Sequence, residues 1–562
     1  MSDIDVVLEG RAFVDGEIRY TEVGISEEGR IVAAGNYVSG GERRVELGTS
    51  QIMVPAFIDP HVHFRDPGMT AKEDFGTGTM AAVHAGVSCV FDMPNTKPPV
   101  VDVRSFQEKK AIVGRKAVTD YGLFAAVTAG INARMLAPLA VGFKLFMGST
   151  TGNILLDDDE EMIPAVRDAL ATGLRMSVHA EDDHLIAKGE ENCCGDHLRN
   201  RPAAAETTAI SRLAEHFRGS NINICHLTTP EGLDLAKAAG FTTEVTLHHL
   251  LFEVDRCPGA EYKVNPPIRD IGTRDALFKR FVSGGFDMIG TDHAPHTAEE
   301  KARDFQDAPS GIPGVETTMP MIMEMVRRGT IPLSEAVRMG SYNPGRLFGI
   351  PKGAIAEGYD ADIAVFDMRE TSKIDVRRLH SRCGHSPYAG SDAVFPQDVM
   401  IRGSLQVREG EFCGEPIGRD VCGLRDRLFR SGRETGGMSA RVRDVLSMSA
   451  RGAARRTSVL QEEPSLRPRE VPRSRTVHRP GSEEGEGVLR VPQRPQVLRV
   501  PAPPYVLPPV PISPICERQA PGRAGPLVQR GVDREGRQRP RRGPHDRVQR
   551  RRQDRRGVGA VQ

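Results

Sequence analysis

Residues 53–68 read MVPAFIDPHVHFRDPG. A short apolar run at 53–58 gives way to a cluster of polar residues that includes His61, His63 and Arg65. Similar apolar runs recur downstream at 87–92, 122–127, 142–146, 175–179, 222–226, 243–247 and 287–291. That makes eight strand candidates over about 300 residues, each followed by a segment that can return as a helix. Eight β-α units in this length predict a parallel (β/α)8 TIM barrel. In such barrels function sits at the C-terminal ends of the strands, and the polar residues considered below fall there.

Outside the barrel the texture changes. Residues 8–54 read as short strands between Gly-rich turns, in VVLEGRAFVDGEI and GRIVAAG. The pattern returns at 353–414, in GYDADIAVFDM and DVMIRGSLQVREGEF. Neither stretch has enough strands to bury a core alone, so the two are expected to pair into one small composite β-sandwich. The predicted division is 1–53 and 353–423 for the sandwich, 54–352 for the barrel, and 424–562 for a tail.

The tail differs in kind. It holds 31 Arg, no Lys and 14 acidic residues, so it carries roughly +17 while the whole chain is formally neutral. Stretches such as RQRPRRGPHDRVQRRRQDRRG have no helical or strand period, and such composition predicts disorder. Because the barrel uses Lys freely, the abrupt change reads as an out-of-frame or read-through product. A solvated basic tail able to meet nucleic acid is the alternative; no nucleic-acid partner is expected otherwise.

Bulk composition sets further bounds. At 562 residues the chain exceeds one ordinary core, and 39% hydrophobic with 27% charged residues suits a globular protein. No run of about 18 apolar residues is present, so no membrane span is expected. The start, MSDIDVVLEGRAFVDG, lacks a secretory pattern, and nine cysteines without a CxxC pair suit reduced thiols. The expected location is the cytoplasm.

His61 and His63 are two apart at a strand end, so both side chains point to one side. A single HxH is more often structural. Here further ligand types end other strands: Lys144 in VGFKLFMG, His179 in SVHAED, His226 in NICHLTT and Asp292 in IGTDHAPH. Any one of these histidines alone would read as a hydrogen-bonded core residue. Together they place HxH, Lys, His, His and Asp on strands one, four, five, six and eight. A lysine inside an apolar strand is costly unless paired or modified. Burial disfavours the charged form of such a lysine, and a neutral amine can react with carbon dioxide to give a carbamate, an anionic bridging ligand. Imidazole and carboxylate ligands favour zinc or a similar first-row ion. Two such ions can share a hydroxide and clamp a carbonyl oxygen, with Asp292 as general base and then acid.

With these motifs the chain resembles the amidohydrolase superfamily and, within it, the dihydroorotases, over residues 1–423. The resemblance implies reversible cyclisation of N-carbamoyl-L-aspartate to L-dihydroorotate plus water, in pyrimidine synthesis. It implies two Zn2+ ions bridged by N-carboxylated Lys144, with His61 and His63 on one, His179 and His226 on the other, and Asp292 as the acid/base. HFRDPG places Arg65 on the substrate carboxylate, and FDMPNT places Asn95 on the same group. KVNPPIR brings Asn265 to the ring, DHAPH brings His296 to the carboxylate, and APSGIPGVETT offers backbone groups at Ser310 and Gly311. A small-molecule substrate is implied, with a homodimer or association with aspartate carbamoyltransferase as the partner expectation.

Allantoinases usually read DMPLN where this chain has DMPNT, and hydantoinases or dihydropyrimidinases lack the arginine of HFRDPG. An inactive scaffold would be expected to have lost ligands, and all six are present. Two departures stand out: Ala56 where the family often has Gly, and Leu247 where Pro often precedes His248 and His249. On a strand, that His pair would face opposite sides, one inward as core or beside the ligands and one against a helix. Glu181 and Asp182 are expected to orient ligands from behind.

Overall fold

A computed structural model describes residues 4–424 apart from 151, 153 and 258. The predicted tail, 424–562, therefore lies outside the described residues except for Leu424. Among the described residues no helix is long and apolar enough to cross a membrane.

The N-terminal strands are β1 (Ile4–Val14), β2 (Glu17–Ser26), β3 (Ile31–Gly35), β4 (Arg43–Glu46) and β5 (Gln51–Pro55). The barrel strands follow: β6 (Phe57–Val62), β7 (Val87–Asp92), β8 (Asp120–Ala126), β9 (Gly142–Phe146), β10 (Met176–His179), β11 (Ile222–Ile224), β12 (Thr242–Val245) and β13 (Met288–Ile289). These eight pair in sequence order as one parallel sheet. A parallel bridge from Val62 to His293 links its first strand to the segment after its last. The fold is thus the predicted (β/α)8 barrel. Strands such as β7 (VSCVFD) are buried along their whole length, as expected where helices cover one face and the barrel core fills the other.

After the barrel come β14 (Ile363–Asp367), β15 (Ser372–Lys373), β16 (Asp392–Ala393), β17 (Asp398–Ile401), β18 (Ser404–Arg408) and β19 (Glu411–Phe412). β14 pairs antiparallel with both β5 and β17, so strands from the two ends of the chain share one nine-stranded mixed sheet. Val6, Val23, Ile25, Met53, Ile363 and Val365 form its own apolar core. This is the β-sandwich domain built from both ends.

Two strand expectations need correction. The run at 53–58 is split at Ala56, with β5 in the mixed sheet and β6 in the barrel. Ala56 belongs to neither, and its N–H donates to Asp362 O at 3.0 Å. The seventh strand ends at Val245, and residues Leu247–Leu251 turn as a short helix. His248 and His249 are therefore helical neighbours, both buried, with ring centroids 4.3 Å apart. The opposite-faces argument, which holds for strands, does not apply to them.

At the barrel end remote from the site, Lys352 is fully buried against Asp120 (2.7 Å), Asp362 (2.7 Å) and Asp360 (3.0 Å). Arg402 also pairs with Asp120, and Arg30 with Asp360. Burial alone would push the Lys352 pKa down, but the three carboxylates hold it well above the ordinary lysine value. The cluster joins a barrel strand to the mixed sheet. Lys352→Met would strand buried charge, at a cost of roughly 3–5 kcal/mol. The expected result is a matching fall in unfolding free energy by denaturant titration, and an unchanged midpoint would contradict it.

Candidate active site

The candidate residues converge at the C-terminal mouth of the barrel. His61 lies within β6 and His63 just after it, Lys144 is in β9, and His179 ends β10. His226 and Asp292 follow β11 and β13. Among the described residues, three of the six non-glycine residues with positive φ are Arg65 (60°), His226 (34°) and Asp292 (45°). Such backbone costs on the order of 1–3 kcal/mol per residue and gathers at functional sites, where the surrounding packing enforces it.

Asp292 Oδ1 lies 3.0 Å from His63 Nε2 and 3.3 Å from His61 Nε2. His179 Nδ1 faces His226 Nε2 at 3.1 Å. Burial lowers the pKa of all four imidazoles and favours their neutral forms. A neutral ring carries one lone-pair nitrogen, which is what a metal ligand requires. The outer nitrogens are mostly engaged. His61 Nδ1 meets Glu244 Oε1 at 2.8 Å, His63 Nδ1 donates to Asn95 Oδ1 at 2.7 Å, and His179 Nε2 donates to Glu181 Oε2 at 2.8 Å. Each contact fixes a tautomer and turns the other nitrogen inward. Burial opposes charge on Glu181, yet Arg201 (2.5 Å) and His179 hold its pKa well below the usual range.

Lys144 is fully buried between His61 Nε2 (3.4 Å) and Cys225 Sγ (3.1 Å). Among the described residues it makes no ion pair with a carboxylate. His226 Nδ1 is buried with no hydrogen-bond partner among the described residues. His61, His63 and Asp292 also bring ligand atoms within 4.8 Å of one another. Convergent imidazole lone pairs, a carboxylate and an unpaired buried lysine fit a metal centre.

Arg65 is buried, and burial lowers its pKa to about 10, so it stays cationic at neutral pH. Its Nε donates to Pro295 O at 3.1 Å, and Nη2 lies 3.2 Å from His296 Nε2. Lys72 Nζ lies 3.0 Å from His296 Nδ1, so Nε2 carries the ring hydrogen and gives it to Ser310 O at 3.0 Å. Arg65 Nη2 therefore finds no acceptor in His296, and its hydrogens remain for an anion. The neighbouring carboxylate, Asp66, pairs with Lys116 at 2.7 Å.

A cleft of about 370 Å³ is lined by His61, His63, Arg65, Asn95, Lys144, His179, His226, Asn265, Asp292, Ser310 and Gly311. His296 stands behind Arg65. Some expectations change in detail. Asn95 Oδ1 is engaged by His63, the Gly311 amide donates to Lys263 O at 2.9 Å, and Ser310 O is taken by His296. Those backbone groups are thus already used within the protein. A Cβ on Gly311 would sit 2.2 Å from Ala294 O, which requires glycine at that close approach. Of the pair expected to act from behind, Glu181 touches His179, whereas Asp182 caps a turn and pairs with Arg212 at 2.8 Å.

Glu244 was not singled out from the sequence. It is fully buried, and burial raises its pKa to about 7. It stands within the β12 run TTEV, where the reasoning applied to Lys144 could have found it.

The amidohydrolase family model matches residues 52–405. The dihydroorotase of Methanosarcina mazei is 36% identical over 72% of this chain and 94% of its own length. That of Halobacterium salinarum is 36% identical over 74% and 99%, respectively. Among solved structures, the L-hydantoinase (dihydropyrimidinase) of Arthrobacter aurescens superposes with a TM-score of 0.69 at 26% identity, covering 74% of this chain and 99% of that one. By family match and by its relatives, the chain belongs to the amidohydrolase family, in its dihydroorotase branch.

Proposed function

We propose that this metal-dependent dihydroorotase interconverts N-carbamoyl-L-aspartate and L-dihydroorotate with two zinc ions, on a site made of the residues assembled above. His61 and His63 would hold one ion, His179 and His226 the other, with Asp292 and an N-carboxylated Lys144 completing the set. Bound zinc supplies Lewis acidity, which polarises a carbonyl and makes water nucleophilic near neutral pH.

The chain's own groups do the rest. Asp292 accepts the proton of the attacking water and passes it to the ring nitrogen as the amide C–N bond breaks; the reverse path closes the ring. Glu244, Asn95 and Glu181 hold three imidazoles in one orientation. Arg65 binds the carboxylate of the substrate.

The observation that carries the substrate assignment is Arg65: a buried guanidinium at the cleft with no ion-pair partner among the described residues. A ring without a carboxylate would leave that charge unanswered, which disfavours the hydantoinase or allantoinase alternatives. Shared fold and metal chemistry cannot separate these activities, but the carboxylate contact can. Arg65→Met is expected to raise KM for L-dihydroorotate about 10²-fold, the scale of a charged hydrogen-bonded contact. Zinc content should stay unchanged. Lost zinc, or an unaltered KM, would overturn the role given to Arg65.

A further inference from the structure

Behind Asn265 lies a side-chain relay that the proposed mechanism does not use. His197 is buried on the short helix Cys194–Asn200, and its two ring nitrogens face different partners. Nδ1 is 2.8 Å from Glu191 Oε1. Nε2 is 3.1 Å from Val264 O and 2.8 Å from Asn265 Oδ1. Glu191 is an ionised acceptor: burial opposes its charge, but the His197 contact and Lys263, at 2.9 Å, hold its pKa down at about 2. A backbone carbonyl has no hydrogen to give. Nε2 of His197, facing the Val264 carbonyl, must therefore carry a hydrogen.

That requirement decides the orientation of the Asn265 amide. The atom facing Nε2 has to be an acceptor, so it is Oδ1, and the NH2 group is the other end. Asn265 lines the cleft, so the side chain is committed to offering hydrogens rather than a lone pair. Lys263 extends the arrangement. Its Nζ donates to Phe305 O at 2.8 Å, and its carbonyl accepts from Gly311 N at 2.9 Å. The loops bearing Glu191, Asn265 and Gly311 are thereby held in one register.

We propose that His197, held by Glu191, is a positioning residue that fixes which end of the Asn265 amide meets the substrate, so that the site selects an acceptor oxygen there. The inference rests on the proposed dihydroorotase reading, with Asn265 as the substrate contact that the family resemblance implies. Without the relay the amide can rotate through 180° and present its carbonyl, which repels a substrate oxygen.

The test is a double-mutant cycle in the full-length, zinc-loaded enzyme, with KM and kcat for L-dihydroorotate, zinc content and Tm measured for each variant. Asn265→Ala and His197→Phe should each raise KM about tenfold, the loss of one hydrogen bond, with kcat within about twofold and zinc unchanged. The double variant should be no worse in KM than Asn265→Ala alone, because His197 acts only through Asn265. Glu191→Gln, a gentler change, should give part of the His197→Phe effect and none of it in the Asn265→Ala background. Multiplying KM effects, or a fall in kcat or zinc instead of a rise in KM, would overturn the relay. An unaltered KM in Asn265→Ala would instead overturn Asn265 as a substrate contact, and the relay with it.

Discussion

Asp292→Asn is expected to lower kcat for L-dihydroorotate by about 10³-fold, within the range typical of losing a general acid–base group. The substitution keeps an oxygen and nearly the same volume at a position packed against His61 Nε2 and His63 Nε2. What it removes is the proposed ability to accept a proton from water and return it to the ring nitrogen. KM should change little, because the proposed substrate contacts of Arg65 and Asn265 are to parts of the substrate remote from that transfer. Asp292→Ala should abolish turnover altogether. Substantial remaining turnover in either variant would defeat the acid/base role, whatever the metal content.

The second large effect concerns Lys144. Lys144→Met keeps length and apolar packing at a fully buried position while removing the amine that can be carboxylated. Metal content should fall below two per chain, and turnover should fall by at least about 10³-fold, since groups acting as one unit fail together. Stability should not fall, because the variant removes a buried group that has no carboxylate partner. A variant with full metal content and turnover would show that Lys144 is merely packed between His61 and Cys225.

The barrel was legible because its strands are buried on both faces and read as continuous apolar runs, so a polar residue at their ends stands out. His61, His63, Lys144, His179, His226 and Asp292 could be picked out for that reason. Direction and partner were less legible. Asn95 lines the cleft, yet the sequence has no sign that its Oδ1 is turned to His63. The amide of Gly311 goes to Lys263, a contact set by the meeting of two loops remote in sequence. At His248 and His249 the sequence suggests a strand, because periodicity over so short a run cannot tell a strand end from a helical turn. His197 gave no signal at all. It lies in NCCGDHLRN, a polar stretch without a strand or a motif, and its role appears only through Val264 and Asn265. The join at Ala56 was hidden for the opposite reason, since the apolar run continues across it and only the pairing partners change.

The most direct test of the account is turnover of L-dihydroorotate beside allantoin and dihydrouracil, with zinc determined on the same sample of the full chain. The expected result is turnover of L-dihydroorotate alone, with about two zinc ions per chain. Turnover of dihydrouracil, a ring with no carboxylate, would contradict the role of Arg65 and move the protein toward its hydantoinase-like structural relatives. Two zinc ions with no turnover of any ring would contradict the account at its centre.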